Sequence, residues 1–156
     1  MTMSTAVHDT FVIERTYDAP VALVFEAWAD PTIKAGWFAG SPEALGAGYD
    51  LDFRVGGREA LKGEPPGGGT VHTYESRFHD IVPEQRIVYT YEMYADETRI
   101  SVSVATVEFY SVGSATRLVL TEQGVFLDGH DTAVQREEGT RSFLESLAAS
   151  LAGDDS

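Results

Sequence analysis

Cysteine is missing from the chain altogether. Its absence removes thiol nucleophiles, cysteine-ligated zinc and disulfides from consideration, although it does not fix a compartment. Lysine is scarce, at Lys34 and Lys62 alone, and the arginines are scattered along a chain whose formal net charge is -14. A field of that sign repels phosphate, so neither nucleic acid nor an acidic lipid surface is an expected partner. A neutral or cationic small molecule, or a basic protein, remains compatible with it. The opening MTMSTAVHDT has neither the basic cluster nor the apolar core of a secretory signal. No apolar run reaches the roughly 18 residues a membrane span needs, so a cytoplasmic protein with no membrane partner is expected.

Familiar catalytic signatures are missing too. There is no Gly-x-Ser-x-Gly elbow, and Gly46-Ala47-Gly48 runs into a strand rather than a helix, which argues against a dinucleotide loop. The histidines are His8, His72, His79 and His130, and none forms an i, i+4 pair around a glutamate. His72 and His79 have opposite parity on one strand and should face opposite sides of a sheet. No metal and no cofactor is therefore expected.

The chain has 156 residues, 43% of them hydrophobic and 11% aromatic, which suffices for one well-buried domain. Its expected extent is 11–152, after a flexible N-terminus over 1–10 and before a tail over 153–156. Phe11 to Thr16 alternates as a first strand. Asp18 then stands as a cap-like residue before Pro20, and Val21, Val24, Phe25 and Trp28 fall at helical spacing. Asp30 and Pro31 interrupt that helix, and a second short one runs toward Trp37 and Phe38.

Strands follow one another from there. Tyr49 to Val55 alternates apolar with charged residues, Gly56 and Gly57 turn the chain, and a weaker strand covers Arg58 to Lys62. The segment GEPPGGG, 63–69, is a slack connection that could cover a site. Val71 to Ile81 carries its aromatics with His72, Tyr74, Ser76 and Phe78, which are assigned inward. Ile87, Tyr89, Tyr91 and Met93 share a face of the next strand. In the strand from Arg99 to Ser111 the apolar phase changes, with Ile100, Val102 and Val104 on one side and Val107 and Phe109 on the other, which predicts a bulge near Ala105. Leu118, Leu120 and Glu122 share the inward face of the last strand.

The closing segment, Asp131 to Leu151, has Phe143, Leu147 and Leu151 at every fourth position, with Leu144 and Ala148 beside them. Toward its N-terminus the same face gives Thr140, Gly139 and Arg136. A helix that packs at one end and offers small or polar groups at the other leaves room for a ligand. The order of elements predicts an α+β helix-grip fold: a strongly curved antiparallel sheet of about six to seven strands around a long C-terminal helix, with two short helices after the first strand.

Four segments, YDAPVALVFEAWADPTIKAGWF, VPEQRIVYTYEM, GSATRLVLTEQG and REEGTRSFLESLAASL, together resemble bacterial domains described as like the C-terminal domain of the activator of heat shock protein 90 ATPase. Those domains belong to the START-like (SRPBCC, helix-grip) superfamily, with the birch pollen allergen and the polyketide cyclases and aromatases. The resemblance spans Phe11 to Leu151 and implies the fold. It implies less about function, since the superfamily hosts lipid transfer, hormone binding, cyclisation and chaperone regulation. Related domains often read Gly-Trp where this chain has Gly139-Thr140, so the resemblance implies a missing ring and a wider cavity mouth.

The expected site is a cavity between sheet and closing helix for a small apolar or aromatic molecule, as in a carrier or sensor. Its expected ligand-binding residues are Trp37, Phe38, Phe53, His72, Tyr74, Tyr89, Tyr91, Glu122, Arg136, Gly139, Thr140 and Phe143. Tyrosine suits such a wall because it joins an apolar body to a hydroxyl that needs a partner when buried. Glu122, a carboxylate among apolar neighbours, must be protonated, paired or wet, and is the one catalytic candidate. Two alternatives stand beside binding: a cyclase-, aromatase- or hydrolase-like enzyme using the same cavity, and a co-chaperone-like interaction module. The exposed sheet edge and the two short helices also leave room for a homodimer.

Overall fold

The computed structural model describes residues 4–64 and 67–153. Seven antiparallel strands form one sheet: β1 (Ala6–Tyr17), β2 (Tyr49–Leu51), β3 (Arg58–Gly63), β4 (His72–Val82), β5 (Arg86–Ala95), β6 (Thr98–Val112) and β7 (Ala115–Leu127). Their spatial order is β1-β7-β6-β5-β4-β3-β2. Helices α1 (Val21–Ala29) and α2 (Pro31–Phe38) follow β1, and α3 (Ala133–Leu151) closes the chain. This is the α+β helix-grip architecture. Among the described residues no helix is long and apolar enough to cross a membrane.

The period-2 pattern selects the inner face. Ile13 on β1, Phe78 on β4, Ile87 on β5, Val107 on β6 and Leu118 and Leu120 on β7 are all buried, and the residues between them are more exposed. Leu144 and Leu147 of α3 close against this face. Tyr17 donates its hydroxyl to the Leu144 carbonyl at 3.1 Å, which ties the end of β1 to the middle of α3. The N-terminus of α3 is capped by Thr132, whose hydroxyl accepts from Gln135 N–H at 3.2 Å.

Several boundaries differ from expectation. β1 begins at Ala6 rather than Phe11, because Ala6 to Thr10 pairs with Gln123 to Leu127 although its side chains are exposed. Backbone pairing continues there without an apolar pattern to announce it. The first helix is capped by Pro20 with no side-chain hydrogen bond, so Asp18 does not serve. Asp30 does cap the second, accepting from Thr32 N–H at 2.9 Å and Ile33 N–H at 3.1 Å. The strand expected over Tyr49 to Val55 stops at Leu51. The Asp52–Gly57 turn replaces it, and a Cβ at Gly57 would come within 2.1 Å of the Asp52 carbonyl oxygen. Pro65 and Pro66 of the slack connection, and 154–156 of the expected tail, lie outside the described residues.

The bulge in β6 is displaced from its expected place. Tyr94 pairs with Arg99 and Met93 with Ser101, so the extra residue is Ile100, not one near Ala105. From Ser101 onward Ser103, Ala105, Val107 and Phe109 point inward, while Val102 and Val104 face outward. A second irregularity lies in β4, where Phe78 pairs with Tyr89 and Asp80 with Val88. Bulges of this kind bend a sheet, here into a trough along which α3 lies.

Candidate functional site

A cavity of about 250 Å³ lies between the trough and the first half of α3. It is smaller than the several hundred cubic ångströms usual for drug-sized ligands and fits one or two fused rings. Strand residues Leu61, Tyr74, Tyr89, Tyr91, Met93, Leu120 and Glu122 form its floor. Trp28, Trp37 and Phe38 bound it on the α1–α2 side, and Asp131, Gln135, Arg136, Gly139, Thr140, Phe143 and Leu144 bound it at α3.

The helix contributes in this way because its stripe fades. The apolar line facing the sheet is Thr140, Leu144, Leu147 and Leu151, at i, i+4, i+7 and i+11. Its upper members are too small or polar to reach the floor. Phe143, although it shares the fourfold spacing of Leu147 and Leu151, does not pack with them. It is 37% exposed and stands at the rim, its ring centroid 4.8 Å from that of Phe38 on α2. Around Gly139 a Cβ would meet nothing within 4 Å, so the space there is open. Thr140 is half-buried and turns its hydroxyl back to the Arg136 carbonyl, at 2.9 Å.

Aromatic rings make up most of the wall. Tyr74 and Tyr91, neighbours across β4 and β5, have ring centroids 4.8 Å apart, and Phe38 lies 5.2 Å from Tyr74. Trp28 and Trp37 meet edge to face at 5.0 Å. Trp37 is fixed by an indole N–H donated to the Ala27 carbonyl at 2.9 Å.

One corner is polar. The Tyr91 hydroxyl donates to Glu122 Oε2 at 2.7 Å. Arg136 reaches down from α3 and donates to the Tyr91 oxygen at 2.9 Å, to Ser101 Oγ at 2.8 Å and to Asp131 Oδ2 at 2.8 Å. Its guanidinium stands 3.9 Å from Glu122 Oε2, close enough for attraction but beyond a hydrogen bond. Glu122 is 2% exposed. Burial pushes its carboxyl above the usual carboxylate range, against the opposing pulls of the Tyr91 hydrogen bond and the Arg136 charge. Burial likewise pushes the Tyr91, Tyr89 and Tyr74 hydroxyls up, so all three stay protonated and can donate.

Of the expected residues, Trp37, Phe38, Tyr74, Tyr89, Tyr91, Glu122, Arg136, Gly139, Thr140 and Phe143 border this cavity. Two do not. Phe53, outside the ladder, packs its ring on Phe25 and Phe78 at 5.8 and 5.1 Å, in the core behind the site. His72 has the inward parity but is the first residue of β4 and is exposed, because the trough ends before it. Trp28, Leu61, Met93 and Asp131 line the cavity without having been singled out. Trp28 was legible as the last member of the α1 stripe, and Met93 as the next inward position after Tyr91. Leu61 sits on a strand with weak alternation, and Asp131 had no signal beyond its place before the helix.

Behind the aromatic wall is a second buried polar group. Lys34 of α2 places Nζ 2.7 Å from Glu59 Oε2 on β3, and the Tyr49 hydroxyl donates to the same oxygen at 2.5 Å. The ammonium also lies 4.8 Å from the Phe38 ring centroid and 5.1 Å from that of Trp28.

Comparison with known proteins bears on the same chain. A comparison with curated proteins finds no match. A solved structure of a protein from Rhizobium leguminosarum is similar over 97% of this chain and 99% of that one, with 44% identity and a TM-score of 0.90. The protein Mll3558 from Rhizobium loti is similar over 94% and 99%, with 46% identity and a TM-score of 0.87. CalU16 from Micromonospora echinospora, at 20% identity over 96% and 87% with a TM-score of 0.66, shares the fold. Residues 18–152 match the family described as activator of Hsp90 ATPase homolog 1-like protein, and the chain belongs to that family.

Proposed function

We propose that the protein binds a small aromatic molecule in the cavity between its sheet and α3. The observation that carries this reading is the wall itself. Trp37, Phe38, Tyr74, Tyr91 and Phe143 surround about 250 Å³ that no side chain among the described residues fills. Interiors are normally packed to the density of organic crystals, so an unfilled space of this size lined by rings is costly unless something occupies it. Filling it with a flat apolar molecule recovers dispersion contacts and removes ring surface from water. The rim between Phe38 and Phe143 is the entrance, because Phe143 is exposed and Gly139 beside it leaves open space.

Native mass spectrometry of protein purified from its own host tests the reading. A retained small aromatic molecule, released on denaturation, is the expected result. Protein that emerges empty and binds nothing from a broad library of aromatic metabolites contradicts it.

A second reading rests on Glu122. A carboxyl pushed above its usual range beside a tyrosine hydroxyl at 2.7 Å has the elements of acid–base chemistry on a bound ring or carbonyl. Such activity would resemble that of cyclases, which hold a reactive chain in one shape. Glu122→Gln tests it: turnover of a bound molecule must fall if the carboxyl moves a proton, and unchanged turnover would remove Glu122 from the mechanism.

A further inference from the structure

The polar corner sets the charge that an incoming ligand meets. Among the described residues Arg136 is the one cationic side chain on the wall, against the two carboxylates of Glu122 and Asp131. Three of its five N–H groups are in use: one terminal nitrogen donates to Tyr91, and the other to both Ser101 and Asp131. An incoming anion therefore meets a guanidinium already paired with Asp131 and, beside it, the two like charges of Glu122 and Asp131. Glu122 is in the opposite position. A carboxylate can accept about four hydrogen bonds; Tyr91 supplies one, the Ser103 hydroxyl also acts on the carboxyl, and Arg136 stands 3.9 Å away.

The ring wall favours the same sign. Aromatic faces attract cations, and two of the chain's own already use them. Lys34 Nζ lies 4.8 Å from the Phe38 centroid, and the Arg136 guanidinium carbon 5.5 Å from that of Tyr91. The net charge of -14 concentrates cations around the molecule and depletes anions.

We propose that the ligand is an aromatic amine: a one- or two-ring apolar body lodged among Phe38, Tyr74 and Phe143, with a protonated amino group directed at Glu122. This assignment rests on the binding reading above and narrows it to one chemical class. The ammonium supplies the donors that Glu122 lacks and relieves the excess of negative charge at the corner. The ring occupies the space that the α3 stripe leaves empty.

Calorimetric titration near neutral pH with three probes that share one ring system tests it: 2-naphthylmethylamine, 2-naphthylmethanol and 2-naphthoate. The amine is expected to bind about ten- to a hundredfold more tightly than the alcohol, the gain typical of a hydrogen bond to a charged group, and the naphthoate most weakly. In Glu122→Gln the ratio of amine to alcohol affinity is expected to fall to about one. An alcohol that binds as tightly as the amine, or a naphthoate that binds tightest, overturns the charge assignment and leaves the binding reading standing. A variant that keeps the wild-type ratio overturns the role of Glu122. If none of the three binds, both the assignment and the reading beneath it fall.

Discussion

Lys34 and Glu59 form an ion pair with 2.7 Å between Nζ and Oε2, and the two residues are 2% and 1% exposed. The pair joins α2 to β3 and so holds Phe38 and Trp37 at the edge of the cavity. Breaking such a pair from one side leaves an unpaired buried charge and costs about 3–5 kcal/mol, whereas replacing both partners with apolar residues is often neutral. Urea unfolding should therefore show a large loss for Lys34→Met and recovery of most of it in Lys34→Met/Glu59→Leu/Tyr49→Phe, which also removes the Tyr49 hydroxyl that donates to Glu59. Equal losses in the single and triple variants would mean that the charges contribute little and the packing much.

Glu122 makes a prediction of opposite sense to the usual carboxylate. Its folded-state pKa is raised above the ordinary 4.5, chiefly by burial. The folded protein thus holds this proton more firmly than the unfolded chain, and the stabilisation present below the ordinary value is lost as pH rises through the raised one. Tyr91, Arg136 and Ser103 face the carboxyl and lower the shift, while Asp131 adds to it. Glu122→Gln removes the titration. Its stability relative to wild type should rise with pH, from a small difference in acid to a clear gain near neutrality, in parallel urea titrations. A difference that stays constant across that range would show that burial does not hold the proton.

Phe143 contributes to the rim more than to the core. Its ring packs against Phe38, tilted by 35° with centroids 4.8 Å apart, yet remains 37% exposed. Truncating a fully buried phenylalanine costs about 3–5 kcal/mol, so Phe143→Ala should cost clearly less, on the order of 1–2 kcal/mol, while it weakens ligand binding severalfold. Thermal unfolding gives the first quantity and calorimetry the second. A loss as large as that of a core phenylalanine would place Phe143 in the core instead.

The fold was legible in the sequence because alternation and helical spacing survive wherever the inner face is apolar, as at Ile87, Tyr89 and Tyr91 on β5. Legibility failed where the inner face turns polar. Ser101 and Ser103 face inward on β6, and the outward Val102 and Val104 imitated a core pattern, which moved the apparent bulge from Ile100 toward Ala105. Phe53 read as a strand residue because the alternation of Tyr49 to Val55 is genuine, and only the close approach at Gly57 ends the strand early. The Lys34–Glu59 pair had no sequence signal, since it links a helix to a strand and neither position looks buried alone. Glu122 and Arg136 were visible because each interrupts an apolar stripe.

Thr140 is half-buried at the α3 wall of the cavity. The space it leaves is the centre of the functional account, and Thr140→Trp fills it from within. The deciding measurement is a calorimetric titration of 2-naphthylmethylamine into Thr140→Trp and wild type, with circular dichroism showing both folded. Binding to wild type that is lost or weakened at least about tenfold in the variant, roughly 1.4 kcal/mol, is the predicted result. A folded Thr140→Trp that binds as tightly as wild type would contradict the account and place the site elsewhere.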